Sequence, residues 1–406
     1  MAYDVESNFD LEASVRDLAA RLGPALAGVV DALGGAEQGP QRLADAVGLD
    51  KVLFSRLLKA LRSADPMASV HHLPGPEPLR RLLRAAKRRQ NVDPEILDPA
   101  MDAVDAFDRF LTEDVGDRSA LTTLLAAWSP DVRTEFELRR KQAAWRAMSE
   151  LRGATLDLEL SAVLLRPSDV PDRLDITWLL GMIGLRRLRP GVSIKAQTRK
   201  LAAEDAERRP RDLDGRTLEG TDSGRLDEFC VSPPGRFIAH RTGDLLQYTL
   251  DGSAYGPKQA VDLLVAEVNE AEMAASVDRG SGRRGWVYSD APIPARKLVM
   301  DVIVHEDVYP GAEPELLLYD TSSGGVADVN DRRRDLDRLD LAESIVTRGR
   351  GLGGVEVKEF EPYPRVLEHV FERLGWDPER FRVHRVDIDY PIVGMQAAVA
   401  FDAPER

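Results

Sequence analysis

The 406-residue chain has a single cysteine, Cys230. One thiol excludes an internal disulfide. A Cys nucleophile would need a histidine beside it in the fold, and His240 and His384 are the conceivable partners, but a lone Cys usually reads as a small buried apolar residue. Long apolar runs are missing as well. Stretches such as Trp178 to Gly184 fall far short of the roughly 20 residues that cross a bilayer, so no membrane segment is expected. The acidic, polar start Met1-Ala2-Tyr3-Asp4 does not read as a signal peptide, and a cytoplasmic location is expected.

Cofactor and metal signatures are equally scarce. No P-loop occurs, and the two G-x-G-x-x-G stretches, Gly280 to Gly285 and Gly349 to Gly354, follow helical patterns and lead into strands, the reverse of a dinucleotide site. The histidine clusters are His71-His72 and His305-Glu306-Asp307. Neither has the i, i+4 spacing that sets two ligands on one helix face, so no metal and no cofactor is expected. Asp387 and Asp389 alternate on an expected strand, as a carboxylate pair or as a solvated edge beside His384 and Arg385. No catalytic motif stands out, so the chain is read as a non-enzyme.

What the chain does have is a 22-residue stretch from Gln41 to Arg62 that reads as two short helices joined by a tight turn. Leu43, Ala46 and Val47 form an apolar stripe, Gly48 permits the turn, and Asp50 is a good N-cap. Phe54, Leu57, Leu58 and Leu61 then bury one face of the second helix and leave Lys51, Ser55, Arg56 and Lys59 outside. The Leu-Ala-x-x-x-Gly-Leu run, the Lys just inside the second helix, and Arg56-Leu57-Leu58-x-Ala60-Leu61-Arg62 resemble the helix-turn-helix of IclR-type winged-helix transcriptional regulators, over roughly residues 20 to 75. The chain departs from that family at Val52 and Leu53, where small hydroxyl residues are usual. Met67 to Leu73, before Pro74-Gly75-Pro76, would be a shortened wing.

The resemblance implies double-stranded DNA as partner, with Lys51, Ser55, Arg56 and Lys59 toward the major groove and Arg62, His71, His72, Arg80 and Arg81 near phosphates. It also implies a homodimer reading two half-sites. Charge agrees locally: Gln41 to Val92 carries eleven Lys or Arg against four Asp or Glu, on a chain of net charge −14. The rival reading is a scaffold whose helix-turn-helix packs on protein.

Organisation follows. Residues 1–92 are expected as the winged helix, 93–152 as a helical connector that dimerises, and 153–406 as an α+β domain for sensing a small-molecule effector or for assembly. Helices are expected at Leu11 to Leu33, Pro78 to Gln90, Pro94 to Leu111, Ser119 to Trp128, Pro130 to Leu151, Ile176 to Leu188, Pro257 to Ser276, Leu336 to Val346 and Tyr363 to Leu374. Between them lie strand patterns, among them Asp157 to Leu165, Val192 to Gln197, Leu298 to His305, Val355 to Phe360 and Phe381 to Asp389. Three segments recur in order: the strands ending at Pro171 and Pro310, those at Val192 and Val355, and Arg-Phe-x-x-His-Arg at Arg236 and Arg380. Either chance or a duplicated unit explains them, and duplication would give halves at 154–276 and 286–406 with His240 and His384 equivalent.

Overall fold

A computed structural model describes residues 10–90, 92–200, 210–219, 224–230, 237–242, 245–250 and 254–406. The chain divides into two units, residues 1–137 and 138–406.

The first unit is helical. α1 (Leu11–Ala32) starts where the Asp10 side chain accepts from the Ala13 amide at 3.0 Å, and it buries Val15, Leu18, Leu22, Leu26 and Val29 at helical spacing. α2 (Gly39–Val47) and α3 (Lys51–Arg62) follow, then α4 (Pro66–His72), α5 (Pro76–Gln90), α6 (Pro94–Arg109) and α7 (Arg118–Leu125). α8 (Pro130–Arg152) begins in this unit, and the division into units falls within it. One core joins all of these: Leu22 and Leu26 of α1, Phe54 and Leu57 of α3, Val104 and Phe107 of α6, and Leu121 and Leu125 of α7 are all buried in it. Residues 94–125, expected as a connector, thus share their core with the helix-turn-helix.

The segment expected as a wing is α4. Asp65 accepts from the Met67 and Ala68 amides at 3.1 and 3.3 Å, and Pro66 occupies the first turn, where its missing N–H costs nothing. Met67, Val70 and His71 then face the core.

The second unit is α+β. β1 (Ala154–Pro167) lies at the centre of a six-stranded sheet, antiparallel to β2 (Arg173–Arg187), which pairs with β6 (Val261–Ala274). On its other side β1 runs parallel to β8 (Ala295–His305), which pairs with β11 (Phe381–Asp389) and through it with β10 (Ile345–Arg350). A helix, α9 (Tyr363–Leu374), covers one face through Val366, Leu367, Val370 and Phe371. A smaller sheet of β7 (Gly285–Asp290), β12 (Met395–Phe401) and β9 (Glu315–Asp320) contributes Val287, Val399 and Phe401 to the core that also holds Val163, Leu298 and Met300 of the large sheet. A third sheet is formed by β3 (Ile194–Lys200), β5 (Leu245–Leu250) and β4 (Phe237–Thr242).

Two expected helices are therefore strands. Ile176 to Leu188 falls in β2 and Pro257 to Ser276 in β6, because apolar side chains on both faces of these strands are covered and the period-2 alternation disappears. Leu336 to Val346 is not a helix either: a short 3₁₀ turn ends at Asp337 and the chain then extends into β10.

The duplication does not hold. The first recurring pair does correspond to the parallel neighbours β1 and β8. Val355 to Phe360, however, is not a strand, and Arg236 lies outside the described residues. His240 sits exposed on β4 of the three-stranded sheet, while His384 is buried on β11 between β8 and β10. These are unrelated elements, so the recurrence is chance similarity.

Beneath α9 lies a buried polar knot. Asp301 on β8 accepts from Arg385 Nε and Nη2 on β11 at 2.7 and 2.6 Å, and from the Tyr363 hydroxyl at 2.7 Å. The rest of the guanidinium donates to the Val355 and Glu356 carbonyls at 2.7 and 2.9 Å, so the buried charge is hydrogen-bonded all round. Removing one partner would strand the other. Asp301→Ala is expected to lower the unfolding free energy by about 3–5 kcal/mol, and Tyr363→Phe by about 1.5–3 kcal/mol, as read from urea denaturation followed by tryptophan fluorescence. A D301A loss no larger than that of Y363F would contradict this account of the knot.

His384 supplies a second test. Its Nδ1 is 2.9 Å from the Thr347 hydroxyl, and burial, aided by the nearby Arg382 charge, lowers its pKa from the ordinary 6.5 to about 4. Because the folded value lies below the unfolded one, its contribution is complete above about pH 6.5 and is lost as pH falls toward 4. His384→Gln should flatten the stability profile in that window by about 3 kcal/mol relative to the unchanged chain. Parallel profiles would show that His384 does not titrate there.

Candidate nucleic-acid interface

The turn between α2 and α3 is built as its residues require. Gly48 has φ of +66° and closes α2 in the left-handed conformation, with the Leu49 amide donating to the Ala44 carbonyl at 3.0 Å. A side chain at Gly48 would also strike the Arg89 guanidinium, which lies against this turn. Asp50 then caps α3, its carboxylate accepting from the Val52 amide at 2.7 Å. Gln90 at the end of α5 donates to the Ala46 carbonyl at 2.8 Å, which ties the basic end of α5, Lys87 to Arg89, to the same turn.

α3 buries Leu53, Phe54, Leu57, Leu58 and Ala60 and exposes Lys51, Val52, Ser55, Arg56, Lys59 and Arg62. The two apolar residues that depart from the family pattern separate here: Leu53 belongs to the core, and Val52 is 62% exposed. The exposed cations are held to different degrees. Arg56 donates to the Leu73 carbonyl at 3.2 Å, Arg62 to the Ala36 carbonyl at 3.5 Å, and Lys59 Nζ lies 3.3 Å from Glu135 Oε2. Among the described residues, Lys51, Arg81, Lys87 and Arg89 are in no ion pair.

Other residues expected near phosphates lie elsewhere. Arg80 is engaged by Asp105 and Asp108 of α6 at 2.6 and 2.9 Å, and these hydrogen bonds raise its pKa. Only Arg81 of that pair is exposed. His71 is 6% exposed and His72 half-buried. His71 Nε2 lies 3.9 Å from Glu135 Oε2, and its ring meets that of His72 edge-on at 5.0 Å. Glu135 is 64 positions along from His71 and was not part of any sequence motif.

Arg118 at the start of α7 was also invisible in the sequence. It is half-buried, and its Nη2 donates to the Val70, His71 and Leu73 carbonyls at 2.8, 2.5 and 2.9 Å, closing the C-terminal end of α4. Burial, with the Arg56 charge nearby, lowers its pKa to about 10, and it remains a cation at neutral pH.

In the second unit the sequence candidates do not assemble. Burial and the Asp262 and Asp227 charges push the Cys230 thiol up to about 12, away from thiolate chemistry. Glu306 of the second histidine cluster is bound by Arg350 and Arg380, both at 2.8 Å, which holds its carboxyl at about 2. Asp387 and Asp389 do share a face, bridged by Lys297 Nζ at 2.7 and 3.2 Å. A charged cleft of about 620 Å³ is lined by Asp212, Asp214, Arg216, Glu228, His369 and Arg373. No described helix is long and apolar enough to cross a membrane.

No protein-family model matches the chain, and no curated protein matches it. Among solved structures it is similar to the M1 zinc metallopeptidase from Deinococcus radiodurans, 12% identical over 61% of this chain and 42% of that one, with a TM-score of 0.25. It is also similar to a putative protease from Parabacteroides distasonis ATCC 8503, 8% identical over 62% of this chain and 41% of that one, again with a TM-score of 0.25. The chain spans less than half the length of these structures, and likeness at this level assigns it neither a family nor a reaction.

Proposed function

We propose that the first unit binds double-stranded DNA through α3 and that the chain is a transcriptional regulator. The observation that carries this reading is the exposed face of α3: Lys51, Ser55, Arg56 and Lys59 lie opposite the buried Phe54, Leu57 and Leu58, behind a left-handed turn at Gly48 that the basic end of α5 flanks. Lys51 and Arg89 supply charge for phosphates, and Ser55 and Arg56 supply donors for base edges. The α+β unit is the place for effector sensing or assembly, with the charged cleft beside His369 and Arg373 suited to a small polar molecule. A homodimer would present two copies of α3 to two half-sites.

A protein partner on the same face is the second reading, favoured by charge. Residues 1–137 carry sixteen Lys or Arg against twenty-three Asp or Glu, so attraction to phosphate is local to α3 and the end of α5 and is not a property of the whole unit. Salt dependence separates the two. The full chain should bind duplex with an affinity that falls steeply with salt, and Lys51→Ala should reduce the slope by roughly 1. Retention of an unidentified protein with no duplex shift at low salt would favour the second reading.

A further inference from the structure

Three side chains of the kinds that ligate transition metals converge in the first unit. His71 and His72 end α4 and Glu135 comes from the first turns of α8, and one ligand atom of each lies within 4.8 Å of the other two. A tetrahedral zinc with ligands at about 2.0–2.1 Å sets its ligand atoms about 3.3 Å apart. The His71 to Glu135 edge, at 3.9 Å, needs only a small side-chain rotation to reach that spacing. The end of α4 that carries both imidazoles is fixed by Arg118, while His72 and Glu135 remain half-buried and reachable from solvent.

We propose that His71, His72 and Glu135 bind a divalent ion of the Zn²⁺ type, with water completing the coordination. Two neutral imidazoles and one carboxylate suit such an ion better than Mg²⁺ or Ca²⁺, which take sets of oxygen ligands. The nearby cations Lys59 and Arg118 oppose a dication, so affinity is below that of a closed four-ligand structural site. The same opposition couples the site to α3. Glu135 Oε2 is the atom that Lys59 Nζ meets at 3.3 Å, and a bound ion would take that oxygen and repel the ammonium. Lys59 would then be released toward solvent on the face proposed to meet DNA. This coupling, unlike the site itself, rests on the duplex-binding reading.

Titration calorimetry of the full chain with zinc chloride, repeated with cobalt to read four-coordinate absorption, tests the site without DNA. One equivalent should bind, with affinity reduced more than about tenfold in His72→Gln and in Glu135→Gln and unchanged in His305→Gln, which removes the other histidine cluster. Absence of binding, or binding that survives both H72Q and E135Q, overturns the site. For the coupling, zinc should raise the duplex affinity of the unchanged chain several-fold, and E135Q, which releases Lys59 without metal, should bind duplex more tightly and ignore zinc. Zinc binding with unchanged duplex affinity overturns the coupling alone. Failure to bind duplex under any condition removes the DNA reading and the coupling together, and leaves the zinc titration to stand or fall by itself.

Discussion

Three carbonyl oxygens at the end of a seven-residue helix, those of Val70, His71 and Leu73, all accept from the same guanidinium nitrogen of Arg118. A helix that ends against a core must find donors for its last carbonyls. Arg118 meets that demand from α7, and the Leu73 carbonyl also accepts from Arg56 of α3. One requirement of the backbone thus ties α3, α4 and α7 together. It also explains why His71 and His72 sit where they do: the residues that end α4 are held by the bond that closes it.

The balance of charge around this point decides how the exposed face can act. Glu135 serves Lys59 at 3.3 Å and lies 3.9 Å from His71, so one carboxylate faces a lysine of the proposed recognition helix and a buried imidazole at once. Exposed ion pairs of the Lys59 type stabilise a fold by about 0–1 kcal/mol. A competitor for Glu135, whether a metal ion or a substituted side chain, therefore releases Lys59 at little cost to the fold. Arg80, by contrast, is held by two carboxylates and Arg84 by Glu77, so two of the six cations on α5 are internally neutralised. Of the cations left for a polyanion, Lys51 stands at the start of α3, Lys87 and Arg89 at the end of α5, and Arg81 nearer its beginning.

Much of the first unit was legible because local rules suffice there. The Gly48 turn, the Asp50 cap and the Phe54, Leu57, Leu58 stripe are short-range features, and the structure contains all three. The wing was misread although its correction was local too: Asp65-Pro66 is a helix start, and the resemblance to a family with a hairpin there outweighed it. In the second unit, β2 and β6 lost their alternation because other layers cover them, a tertiary fact with no local trace. The partners of the candidate residues were invisible for the same reason. Arg118 reaches back 45 to 48 positions to the end of α4, and the Asp105 that holds Arg80 lies 25 positions away, so only folding shows which histidines and arginines are engaged.

Hydrogen exchange of the full chain, with and without a short mixed-sequence duplex at low salt, tests the central claim most directly. If α3 is the reading surface, duplex should slow exchange over residues 51–62 and at the end of α5, and should leave the acidic α6 unchanged. Protection confined to other elements, with 51–62 unaffected by duplex, would contradict it.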